Sequence, residues 1–270
     1  MEFKKVCIVT RYSSMLARDI ANIVADLIIK KGSDVYTIAP LSLNSSHVLS
    51  NEDMLKEEKM DLVIAIGGDG TALRAVRWID GLAPVFSIRI KGSRGVLADI
   101  NTDTIHEAID MIYANKFYID ERMRIHAISN DESQPALNEI MISKASTLVT
   151  PTYNIELDDY SIKEKMDGLI ISTPIGSSGY SYSLGGPIMH EQLNALIITP
   201  IASINRFPIL IVPELDIKIK VNEESMIFAD GQYNLKVDRN EIIRIKRHPR
   251  NAKFLRIRKR GLTHLAKLGY

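Results

Sequence analysis

The stretch "DLVIAIGGDGTALRAVRWI", residues 61–79, decides how the chain begins to fold. Its first six residues are almost all apolar, as a strand covered on both faces must be. The stretch "TALRAVRWI" reads as a helix, and between the two lie Gly67, Gly68 and Gly70 with one carboxylate, Asp69. In an open parallel sheet the turn beyond the carboxyl end of a strand faces the ligand crevice. Glycines there uncover backbone N–H groups and let a phosphate approach the main chain and the start of the helix. A carboxylate repels phosphate, so Asp69 needs a reason of its own. It holds a divalent metal, or receives the proton of an attacking hydroxyl, or caps the helix that begins near Thr71.

Working outward, "KVCIVT" is a second continuous apolar strand. "SMLARDIANIVADLIIKKG" is a helix whose Leu16, Ile20, Ile23, Val24 and Leu27 recur at three and four, with Gly32 as its stop. "DVYTIA" and "PVFSIRI" are further strands, and "TIHEAIDMIYANK" is a helix with Thr104 and Glu107 in capping-box spacing. Apolar strands separated by helices imply a parallel sheet covered on both sides, a Rossmann-like α/β domain. From about residue 117 the segments shorten: "RIHAIS", "LNEIMIS", "TYNIELD", "GLIIST", "PILIVP", "DIKIKV", "SMIFAD", "YNLKVD" and "EIIRIK". Turn formers such as Asp158, Asp159, Asn222, Gly231 and Asn240 separate them, as consecutive antiparallel strands need. The expected architecture is therefore an N-terminal α/β domain, residues 1–103 with 252–270, followed by a mostly antiparallel β domain, residues 104–251. The basic tail carries Leu262, Leu265 and Leu268 at helical spacing and packs on the first domain or mediates assembly.

Lys and Arg number 34 against 33 Asp and Glu, a net charge of +1, so no global field draws the protein to nucleic acid or anionic lipid. The one cysteine, Cys7, sits in an apolar run and reads as a buried small residue. No apolar stretch approaches a bilayer span and no signal-peptide core is present, which makes a cytoplasmic protein with no membrane partner the expectation. GxxxxGK[ST], GxGxxG and GxSxG are all missing. The six histidines lack metal-ligand spacing, and no residue is singled out as a metal ligand.

"GGDG" after an apolar strand resembles the signature shared by NAD kinases, diacylglycerol kinases and phosphofructokinases. Later segments choose among them. "LNEIMIS", with Asn138 and Glu139, is similar to the asparagine-acid motif of NAD kinases, and "DGLIISTPIGSSGYSYSLGGP", residues 167–187, resembles that family's long Gly/Ser/Thr signature. "GSRGVL", residues 92–97, is similar to its glycine loop. The resemblance implies phosphoryl transfer from ATP or another donor to the 2′-hydroxyl of the adenosine ribose of NAD, with a divalent metal, usually Mg²⁺.

By the same resemblance Asp69 acts on that hydroxyl, while Gly67, Gly68, Gly70, Thr71 and Gly92 belong to the phosphate loops. Asn138 and Glu139 bind the ribose hydroxyls and the diphosphate region. Thr173, Ser178, Gly179, Tyr180 and Ser183 serve the dinucleotide pocket, and Asp167 reaches the ligand of an adjacent subunit in a homo-oligomer, dimer or tetramer. The family places its site between the two domains. Adjacent strand residues point to opposite faces, so Asn138 and Glu139 can share a ligand only at a strand end or bulge. The many small hydroxyls of residues 172–183 suit a loop that hugs a polar ligand. The chain departs from the family in having Lys165 and Met166 where an arginine-glycine pair is usual, and Val96 where an aromatic is usual; Arg94 offers a cation near phosphate. A lipid or sugar kinase with the same four-residue signature and a non-catalytic dinucleotide sensor are the alternatives.

Overall fold

Strand β1 (Lys5–Thr10) buries every residue from Val6 onward, as its unbroken apolar run requires. Helix α1 (Met15–Lys30) begins at Ser14, whose hydroxyl accepts from the Ala17 amide at 3.2 Å. Its buried face is Ala17, Ile20, Ala21, Val24, Ala25 and Ile28. This corrects the expected stripe, because Leu16 and Ile23 are 48% and 45% exposed. Alanines line the buried face, and the larger side chains at those two positions point to solvent. The chain continues through β2 (Asp34–Ile38), β3 (His47–Leu49), α2 (Met54–Glu57), β4 (Leu62–Gly67), α3 (Asp69–Ile79), β5 (Val85–Arg89), β6 (Ile100–Asn101), α4 (Ile105–Tyr113) and β7 (Tyr118–Arg122).

These strands form one sheet in the order β3-β2-β1-β4-β5, continued by the strand Ala252–Arg256 and then β7, with β6 paired to β5. The pairs β1–β2, β1–β4 and β4–β5 are parallel, with Val6 opposite Leu62 and Val63 opposite Val85. One face packs Val6, Ile8, Ile64, Ile66, Phe86 and Ile88 against α1 and α4. The alternate residues Cys7, Val63, Ala65 and Val85 are buried too, so both faces are covered, and burial pushes the Cys7 thiol up. Strand order reverses between β1 and β4, which makes the turn after β4 a topological switch point. The expected capping box on α4 does not form. Thr104 makes no capping bond because the 3-10 turn Thr102–Thr104 precedes it, and its hydroxyl donates back to the Asn101 carbonyl at 3.4 Å.

The second unit comprises β8 (Ile125–Ser129), β9 (Glu132–Ala136), β10 (Glu139–Lys144), β11 (Thr152–Leu157), β12 (Tyr160–Lys165), β13 (Gly168–Ser172), α5 (Tyr180–Ser183), β14 (Ala195–Ile201), β15 (Leu210–Pro213), β16 (Ile217–Val221), β17 (Ser225–Ala229), β18 (Tyr233–Val237) and β19 (Ile242–Arg247). They make two six-stranded sheets, β15-β14-β13-β10-β17-β18 and β12-β11-β16-β19-β8-β9. Every pairing within them is antiparallel. In β16 the buried Ile217, Ile219 and Val221 alternate with exposed Lys218 and Lys220, the pattern of a strand with one wet face. Inward residues of both sheets share one core, so the unit is a β-sandwich. The chain then re-enters the first unit as β20 (Ala252–Arg256).

The computed structural model describes residues 2–11, 14–92, 96–146 and 148–260. The two units divide after Glu121 and after Asn251. Residues 104–121, which the sequence reading put in the second domain, therefore belong to the first, where Ile105, Ala108, Ile109 and Ile112 of α4 join the core beside α1. Leu262, Leu265 and Leu268 lie outside the described residues. No helix among the described residues is long and apolar enough to cross a membrane.

Candidate functional site

The first constellation grows from the end of β4. Gly68 is the N-cap of α3 and Asp69 its first residue, so the helix starts two positions before Thr71, and no side chain caps it. Gly67 has a steric reason: a Cβ there would lie 2.3 Å from the Thr71 hydroxyl oxygen. Thr71 is buried, and its amide donates to the Gly68 carbonyl at 3.0 Å, which folds the turn back on itself.

Asp69 is half-buried in the first helical turn, where the aligned peptide dipoles favour a negative charge. Its Oδ1 accepts the backbone amides of Val96 at 2.8 Å and Leu97 at 2.9 Å. The carboxylate is thus held by the loop after β5 and does not serve as the N-cap of its own helix. Val96 contributes here through its main chain, which any residue type can supply, so the missing aromatic leaves this contact intact. Gly70 is exposed on α3, and Gly92 is exposed with φ +81 in the loop. Arg94 lies outside the described residues.

The second constellation lies in the β-sandwich. Asn138 occupies the turn before β10 and Glu139 is that strand's first residue, the strand end that a shared ligand needs. Three consecutive amides of this turn converge on one carboxylate: Leu137 donates to Asp230 Oδ2 at 2.9 Å, and Asn138 and Glu139 donate to Oδ1 at 2.7 and 3.2 Å. Asp230 itself has φ +50 between β17 and β18. From the other side Thr173 donates its amide to the Asn138 carbonyl at 2.8 Å and its hydroxyl to the Leu137 carbonyl at 2.5 Å. The 3-10 turn Ile175–Ser178 then passes so close that a Cβ on Gly176 would lie 2.0 Å from the Asn138 carbonyl oxygen. A Cβ on Gly179 would lie 2.8 Å from Glu139 Oε2, so the glycine leaves room for that carboxylate.

Asn138, Glu139, Thr173 and Gly179 are therefore gathered in one place, with buried Ser178 beside them in sequence. Tyr180 and Ser183 are exposed at the two ends of α5. Asp167 stands apart. It precedes β13, at the opposite end of that strand from Thr173, and pairs with Lys144 at 2.6 Å. At roughly 3.3 Å per strand residue it lies about 20 Å from the Asn138 turn. Several hydroxyls expected to greet a ligand are spent internally: Ser177 donates to the Pro174 carbonyl at 2.6 Å and accepts the Met189 amide at 3.0 Å, and Ser181 bonds Thr199 at 2.7 Å. They brace the segment. Lys165 is exposed, whereas Met166 is wholly buried in the sandwich core, where the family's glycine would leave a gap. Among the described residues no group of three or more His, Cys, Asp or Glu side chains is placed to hold a metal ion.

Asp230 was missed by sequence reasoning because it acts from 91 to 93 positions away. The available signal was "ADGQ" after a strand, where Asp and Gly read only as turn formers.

Comparison with known proteins bears on both constellations. The model of the ATP-NAD kinase N-terminal domain matches residues 6–117, and that of the ATP-NAD kinase C-terminal domain matches residues 137–257. The NAD kinase of Thermococcus sibiricus is 33% identical to this chain over 95% of each, and that of Geotalea daltonii is 32% identical over 80% of this chain and 79% of its own. In fold the chain is similar to an NAD kinase from Archaeoglobus fulgidus solved in complex with ATP, with a TM-score of 0.79, 22% identity and 98% of each chain covered. It is also similar to yeast NADH kinase complexed with NADH, with a TM-score of 0.84, 19% identity, and coverage of 100% of this chain and 87% of that one. These matches separate the chain from lipid and sugar kinases that share "GGDG". The chain belongs to the ATP-NAD kinase family.

Proposed function

We propose that the protein makes NADP by transferring the γ-phosphoryl group of ATP to the 2′-hydroxyl of the adenosine ribose of NAD, with Asp69 receiving the hydroxyl proton. The 2′-oxygen bonds to the γ-phosphorus as the bond from that phosphorus to its bridging oxygen breaks. ADP leaves and the proton passes to the carboxylate. One observation carries the role of Asp69: its Oδ1 is fixed by the Val96 and Leu97 amides at the carboxyl edge of a parallel sheet. That hold orients the acid instead of spending it on a helix cap. Phosphoryl transfer asks mainly for such positioning and for charge neutralisation. Gly68 and Gly70 put no side chain on either side of Asp69 at the start of α3, and a helix N-terminus attracts phosphate.

Magnesium belongs to the same reading. The ion keeps most of its water and takes one or two carboxylates plus substrate phosphates. A single carboxylate among glycines fits an ion brought in on ATP, with Asp69 as the side chain able to touch it. When bound, the ion would neutralise phosphate charge. Asn138 and Glu139, fixed at a strand end, offer a donor and acceptors for vicinal ribose hydroxyls and the nearby diphosphate. Thr173, Ser178, Gly179, Tyr180 and Ser183 form the remainder of the proposed dinucleotide surface. Asp167, at the far end of β13, serves a ligand held by a neighbouring copy, so the reading includes a cytoplasmic homo-oligomer. Light scattering that returned the mass of a single chain would contradict that part.

Mixing the protein with NAD, ATP and Mg²⁺ should yield NADP and ADP in equal amounts. Retained NAD binding with no NADP from any triphosphate or polyphosphate would identify a dinucleotide sensor instead. A further expected outcome concerns Gly176. With the Asn138 carbonyl 2.0 Å from its missing Cβ, Gly176→Ala must displace the Asn138 turn. Such a shift should raise the KM for NAD by about tenfold or more. An unchanged KM would mean that the turn does not position NAD.

A further inference from the structure

The loop amides that hold Asp69 are themselves held from behind. Arg260 donates Nη2 to the Val96 carbonyl and Nη1 to the Ala98 carbonyl at 3.4 Å. Arg256, on β20, donates Nη1 to the Leu97 carbonyl at 2.8 Å and to Asp99 Oδ2 at 2.9 Å. The Val96 carbonyl and the Leu97 amide belong to one peptide unit. Arg260 therefore grips the oxygen end of a peptide whose N–H end grips Asp69. Bonds chained in this way polarise one another, so a cation on the carbonyl strengthens the amide's donation to the carboxylate.

Arg256 is wholly buried, lies 4.3 Å from the centre of the Phe254 ring, and also reaches Asp120 Oδ2 at 3.3 Å. Burial pushes the Asp99 carboxyl up to about 6, with Arg256 pulling it the other way from 2.9 Å. A buried set of ions such as this is weak evidence for stability, since apolar residues of similar volume often do as well. The set does fix the segment Val96–Asp99 against β20, and that segment aims Asp69.

We propose that Arg260 and Arg256 are positioning residues for Asp69, acting through the Val96–Leu97 and Leu97–Ala98 peptide units. The inference rests on the reading of Asp69 as the proton acceptor. It extends the reacting site to two residues 187 and 191 positions further along the chain.

The test uses the full chain with Arg260→Ala, Arg260→Lys, Arg256→Lys, Asp69→Asn and the double variant Asp69→Asn with Arg260→Ala. Misplacing a reacting group slightly is enough to cost about tenfold or more in rate, so Arg260→Ala should lower kcat by that factor. KM for NAD and ATP and the thermal midpoint should stay unchanged. Arg260→Lys should recover part of kcat, since one ammonium reaches a single carbonyl but cannot span two. Arg256→Lys should also lower kcat while keeping Asp99 and Asp120 compensated. On the Asp69→Asn background Arg260→Ala should cost nothing more, because both changes remove the same function. A wild-type kcat in Arg260→Ala, a kcat loss that tracks the melting point, or an additive loss in the double variant would overturn the proposal. Retained turnover in Asp69→Asn would instead remove the reading beneath it, so the two failures are told apart.

Discussion

Replacing Asp69 by asparagine is expected to lower kcat by about 10³-fold while NAD affinity and the melting point stay close to those of the parent. The amide has nearly the shape of the carboxylate, and its oxygen can still accept from the Val96 and Leu97 amides. What it cannot do is take a proton or carry the negative charge. In free-energy terms the loss is roughly 4 kcal/mol of transition-state stabilisation. Because Asp69 is half-buried at the start of a helix, asparagine also loses a favourable dipole interaction of about 0.5 kcal/mol, far too small to account for the kinetic loss. Steady-state kinetics beside a binding titration with NAD separates the two effects. Full activity in the variant would leave Asp69 without a chemical role.

The second large effect is expected at Asp230. Its carboxylate takes three amides of the turn that carries Asn138 and Glu139, and bonds to an ionised acceptor are the stronger kind. Asp230→Ala leaves all three donors without that acceptor, a cost on the order of 3 kcal/mol. The melting point should fall by about 10 °C, and the KM for NAD should rise because the turn loses its anchor. Asp230→Asn keeps one oxygen acceptor but turns an NH₂ toward an amide, so it should fall between the parent and alanine. Calorimetry with NAD titration checks both quantities. An alanine variant as stable as the parent, with an unchanged KM, would show that Thr173 alone holds the turn.

Local signals in the sequence carried much of this arrangement. The apolar runs of β1, β4 and β5 announced a covered parallel sheet, and the glycines around Asp69 marked the switch-point turn. The rule that neighbours on a strand diverge left a strand end or a bulge for Asn138 and Glu139, and the structure has the strand end. Non-local effects were not legible. Strands β9 and β12 escaped notice because both are sheet edges, one containing Pro135 and the other alternating with exposed Ser161, Lys163 and Lys165. Strand β14 was obscured by Pro200 within it. The wet side of α1 carries Leu16 and Ile23, so periodicity alone put two of its five residues on the wrong face, while Ile20 and Val24 are buried and Leu27 packs on the core. The partners of Asp69, Asp230 and Arg256 lie between 27 and 159 positions away, and no window along the chain can register them.

The most direct measurement is a structure of the protein with NAD bound, read at a single distance. A carboxylate oxygen of Asp69 is expected within about 2.6–3.2 Å of the ribose 2′-oxygen, with the Val96 and Leu97 amides still on Oδ1. A 2′-oxygen out of hydrogen-bond reach of Asp69, with another side chain in contact with it, would contradict the account.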